Sequence, residues 1–68
     1  MEIYKMGKKT YLVFKPTLSE EQVKREANKH FKTRISSLVA KRCSVVRDEL
    51  FFYVKHGGTK CWAVWRAS

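Results

Sequence analysis

Apolar and polar positions change rhythm three times along the chain. From Ile3 to Phe14 two β-prone pieces, Ile3-Tyr4 and Tyr11-Leu12-Val13-Phe14, flank Met6-Gly7-Lys8-Lys9. Glycine supplies the positive φ that a tight turn needs, so this stretch predicts a hairpin. Pro16 closes its second strand, because proline cannot donate to a ladder. A helical spacing follows. At about 100° per residue, Val23, Ala27 and Phe31 fall on one narrow apolar stripe, with Arg25, Lys29 and Lys32 on the opposite side. Ser19 as N-cap with Gln22 three residues on makes a capping box, Leu18 and Val23 fit a hydrophobic staple, and Thr17 with Glu20 offers a competing box. Glu20 and Glu21 suit the positive end of the helix dipole and Lys29 and Lys32 its negative end. The helix is expected over 19–32, burying one face only.

From Ile35 to Arg66 the pattern is strand-like. Asp48-Glu49 and Gly57-Gly58 divide it into Ile35–Arg47, Leu50–His56 and Thr59–Arg66. The expectation is a small single α+β domain over 1–68, an antiparallel sheet with one helix packed on one face, in the order ββαβββ. If both turns are two-residue hairpin loops, the last three strands form a meander. Lys55 then faces Lys60, Tyr53 faces Trp62, and the last strand lies at an edge. One face carries the rows Cys43–Val54–Cys61, Val45–Phe52–Ala63 and Arg47–Leu50–Trp65, mostly small or aliphatic, which suits packing under the helix. The other carries the row Arg42–Lys55–Lys60 beside Ser44–Tyr53–Trp62, then Val46–Phe51–Val64. Cys43 and Cys61 would sit two strands apart, about 9–10 Å between Cα atoms and beyond disulfide reach, as free buried thiols.

Charge gives this fold a direction. Lys and Arg number 15 against 6 acids, for a net +9 and a pI near 10. Eight of the bases lie between Gln22 and Arg47, with Glu26 the sole acid there. Such a field attracts polyanions. With 68 residues a large multi-domain enzyme is excluded, and two cysteines are too few for a disulfide framework. The opening Met1-Glu2-Ile3-Tyr4-Lys5 lacks a signal pattern, no apolar run suits a bilayer, and the reducing cytoplasm is the expected compartment.

Candidate chemistry points to binding rather than catalysis. Like charges opposite one another in a ladder are destabilising, and an anion between Lys55 and Lys60 would remove that penalty. Arg42, Lys55 and Lys60 are the expected phosphate ligands, with Tyr53 and Trp62 as a stacking platform for bases. Arg25, Lys29 and Lys32 form a second candidate surface. The reading is a small basic protein that binds DNA or RNA through phosphates and stacking, without cofactor, metal or membrane. The alternative is a phage- or plasmid-type effector that docks on an acidic surface of a host protein and modulates it. A third option is pairing of an uncovered Thr59–Arg66 edge with a second copy. His30 and His56 have no nucleophile motif, phosphate loop or acidic pair around them, so no enzyme is expected.

Overall fold

The computed structural model describes residues 1–67. Five strands and one helix follow the expected class and order: β1 (Glu2–Met6), β2 (Lys9–Phe14), α1 (Glu20–Phe31), β3 (Leu38–Val46), β4 (Glu49–Phe51) and β5 (Thr59–Arg66), with a short 3-10 turn at Ile35–Ser37. Met6 pairs with Lys9 across Gly7-Lys8, and Gly7 has φ 63°. Positive φ at the first loop residue alone is the two-residue turn whose twist suits a hairpin. The helix starts as its sequence dictates. Ser19 Oγ accepts from the Gln22 amide, the Gln22 side chain accepts from the Ser19 amide, and Lys32 closes the other end in a left-handed conformation.

The sheet order is β1-β2-β5-β3-β4, with neighbouring strands antiparallel. This corrects the meander. β5 does not follow β4 at an edge but enters between β2 and β3, placing Leu12 opposite Val64 and Val64 opposite Ala40. The cause lies in its own residues. Cys61, Trp62, Ala63 and Val64 are all buried, and a strand apolar on both faces belongs in the middle of a sheet. The turn between β3 and β4 is Arg47-Asp48, both at positive φ, rather than Asp48-Glu49.

The division of β3 and β5 side chains into two faces survives, but the helix covers the other face. Val23, Ala27 and the half-buried Phe31 pack on Leu12, Phe14, Leu38, Ala40, Trp62 and Val64. Insertion of β5 beside β2 joins their large apolar side chains into one surface, which the meander would have split. The helix-free face keeps its own smaller core of Val13, Cys43, Leu50, Cys61 and Ala63, flanked by Tyr4, Tyr11, Val45, Phe52 and Trp65.

Cys43 and Cys61 are buried free thiols, yet they stand directly opposite each other on adjacent strands. Opposed residues of antiparallel strands have Cα atoms about 4.5–5.5 Å apart, within the range a disulfide spans. Burial pushes the Cys43 thiol up to about 11 and raises Cys61 as well, so the reactive thiolates are scarce at neutral pH. Treatment with a disulfide oxidant should yield an intramolecular cross-link slowly at pH 7 and faster as pH rises. Mass spectrometry would read it as the loss of two hydrogens without dimer. Two independently alkylatable thiols after prolonged oxidation at pH 9 would contradict the register.

Candidate nucleic-acid interface

The expected platform is dismantled by the observed pairing. Trp62 is 7% exposed, under the start of the helix. Its indole Nε1 donates to the Leu18 carbonyl at 2.8 Å. Arg42 opposes it across the ladder, its guanidinium 4.0 Å above the indole ring and donating to the Pro16 carbonyl at 2.6 Å. Both residues fasten the segment between β2 and the helix, so Trp62 offers no face to a base. Lys60 faces Ser44, not Lys55, and the like-charge argument falls with that pairing. Lys55 reaches 4.1 Å over the Phe51 ring, and Tyr53, 55% exposed, packs edge-on to Phe51 with centroids 5.8 Å apart. Lys55, Tyr53 and Lys60 remain exposed near one end of the sheet, without the expected ladder.

The second candidate surface is largely neutralised from within. Lys24 pairs with Glu20 at 3.4 Å, Arg25 with Glu21, and Lys29 with Glu26 at 3.1 Å. Each is an i,i+3 or i,i+4 pair on a helix surface, worth about 0.2–0.5 kcal/mol and partly screened by salt. Lys32 lies beyond the helix as its C-cap. The three helical acids thus cancel three helical bases. The other twelve Lys and Arg face only Glu2, Asp48 and Glu49, and this remainder of twelve against three carries the whole +9.

On the helix-free face, sequence reasoning overlooked an arrangement that the fold assembles. Tyr4 pairs with Tyr11 across β1 and β2. One residue beyond the paired stretch of β2 and β5, Tyr11 meets Trp65 with ring centroids 5.3 Å apart. Phe52, just past β4, touches both, at 5.1 Å from Tyr11 and 5.5 Å from Trp65. All four rings are half-buried, resting beside the small side chains of Cys43, Cys61 and Ala63. Exposed cations flank them. Lys9 lies two residues before Tyr11 on the same face, and Lys41 lies opposite Ala63, two residues before Trp65. Lys9, Tyr11, Lys41, Phe52 and Trp65 line an open hollow of about 290 Å³. A smaller hollow at the end of the sheet, lined by Lys8, Lys9, Thr10, Phe31, Trp65 and Arg66, reaches round to the helix, where the Arg66 guanidinium lies 5.8 Å over the Phe31 ring. The signal in the sequence was the alternation Lys9-x-Tyr11 and Lys41-x-Cys43 together with Ala63-x-Trp65, which converges only once β5 is placed between β2 and β3.

Burial, then the hydrogen bond its hydroxyl donates to Glu2 at 3.1 Å, raises the Tyr4 phenol above its ordinary value. Among the described residues no group of three or more His, Cys, Asp or Glu is placed to hold a metal ion. Nor is any helix long and apolar enough to cross a membrane. No family model, curated protein or solved structure matches the chain.

Proposed function

We propose that this protein is a non-catalytic nucleic-acid-binding module of the cytoplasm that engages phosphates through the cations of its sheet and loops. The observation that carries this reading is the partition of charge. The helix balances its acids with its own bases, while the sheet, turns and loops hold the entire +9 with few acids among them. A fold served only by solubility has no need to keep one sign uncompensated over most of its surface. Lys9, Lys41, Lys55 and Lys60, all exposed, are the proposed phosphate contacts.

The test is a salt series on random-sequence DNA and RNA. The logarithm of the binding constant should fall linearly with the logarithm of salt, with a slope that reports the phosphates neutralised. Neutralising Arg25 and Lys29 to Gln should change that slope by less than one. The same change at Lys9 and Lys41 should lower it by about 1.4 on a single strand, at ~0.7 per phosphate. Failure to retain any nucleic acid at low salt would refute the reading and favour an acidic protein surface as the partner.

A further inference from the structure

The helix-free face carries both features that unpaired bases require, and from them we infer that the ligand is single-stranded nucleic acid whose bases stack against Trp65 and its neighbouring rings. The inference rests on the nucleic-acid reading above and adds strand state and site to it. Duplex recognition uses base edges in the grooves and the phosphate backbone, because base faces are hidden within the stack. Aromatic rings on an open sheet gain from bases only when those faces are free. Here Tyr4, Tyr11 and Trp65 follow one another across β1, β2 and β5, on strands about 4.8 Å apart. Phe52 closes the far side of the hollow that Tyr11 and Trp65 border.

The cations stand where a backbone would run. Lys9 is on one side of the ring row and Lys41 on the other, both exposed. Lys8, in the turn beside Lys9, adds a further exposed charge at this end of the sheet. Charge complementarity therefore selects an anionic occupant, and the half-exposed rings between the cations select one with flat, unpaired bases. An acidic peptide would satisfy the lysines and leave the rings without use. The other exposed ring, Tyr53, packs edge-on to Phe51, and the hollow beside Phe51 and Lys55 includes the acid Glu49 in its lining.

Binding of an oligothymidine strand and of a duplex of equal length, measured at one salt concentration by tryptophan emission and by anisotropy of a labelled strand, tests this directly. The strand should bind more tightly than the duplex and quench the emission. Trp65→Ala should weaken strand binding roughly 5- to 150-fold, the range that loss of one stacked base implies. Trp65→Phe, which keeps a ring, should bind nearly as wild type, and duplex binding should barely move in either variant. Equal or tighter duplex binding, or full strand affinity in a folded Trp65→Ala protein, overturns the inference and leaves the charge-based reading standing. If neither nucleic acid binds, both fall. Should Trp65→Ala fail to fold, Lys9→Gln with Lys41→Gln decides on exposed residues. Loss of strand binding beyond that of a Lys55→Gln, Lys60→Gln control supports the site, and parity with the control overturns it.

Discussion

Trp62→Ala should move the urea midpoint sharply downward, removing roughly a third or more of the protein's stability. Truncating a buried Trp costs about 3–5 kcal/mol, and a chain of this length has a total stability of only about 3–10 kcal/mol. Three contacts vanish together: the packing of the ring within the helix-side core, the Nε1 hydrogen bond to the Leu18 carbonyl, and the surface on which the Arg42 guanidinium lies. Trp62→Phe separates them. It keeps a ring in the core and removes the donor, at a cost of about 1–3 kcal/mol for the carbonyl left without its partner. Urea titration followed by circular dichroism would measure both. The same Phe variant tests the residue's role in binding. A folded Trp62→Phe protein should hold nucleic acid as wild type does, and a loss of affinity with intact folding would return Trp62 to the interface.

Gly58→Ala should destabilise by about 1–3 kcal/mol, the range for forcing atoms into a packed position. A Cβ on Gly58 would stand 2.9 Å from Val46 Cγ2, 3.0 Å from Ser44 Cβ and 3.3 Å from the Lys55 carbonyl oxygen. Two of these neighbours belong to β3, which cannot shift without disturbing its pairing with β5. The effect is steric. Gly57, at φ 80°, supplies the unusual backbone conformation of the turn that the Gly58 amide closes onto the Lys55 carbonyl at 3.0 Å. The Ser44 hydroxyl, buried on β3, accepts from the Lys55 amide at 2.8 Å and holds the same segment down. Val46→Ala should relieve part of the penalty, so the two substitutions together should cost less than the sum of each alone. Strict additivity in urea midpoints would refute the close approach.

Local signals were legible wherever the interaction they encode is local. The capping box at Ser19 and Gln22, the stripe of Val23, Ala27 and Phe31, and the Gly7 turn each involve residues a few positions apart, and the structure forms all three. The partner of β5 was harder to read, because Gly57-Gly58 imitates a hairpin loop while most of Phe52–Gly58 is irregular. A cue was present in the unbroken apolar run Cys61-Trp62-Ala63-Val64, which fits a central strand better than an edge. The face covered by the helix followed from neither cue alone. It depends on β2, whose Leu12 and Phe14 meet Val64 and Trp62 only after β5 has inserted. That single topological choice also moved the candidate site, burying Trp62 and gathering Tyr11, Phe52 and Trp65 with Lys9 and Lys41 instead.

The central place of β5 has a consequence for how the chain becomes a protein. During synthesis the strand that joins the two hairpins is made after both of them. Until Thr59–Arg66 leaves the ribosome, β1–β2 and β3–β4 have no backbone partner between them, and Leu12, Phe14 and Leu38 lack the wall that shields them. Distant pairings of this kind slow folding and leave apolar surface open to misassociation in the interval. The nascent chain should therefore resist protease late and abruptly, as β5 slots home, rather than segment by segment.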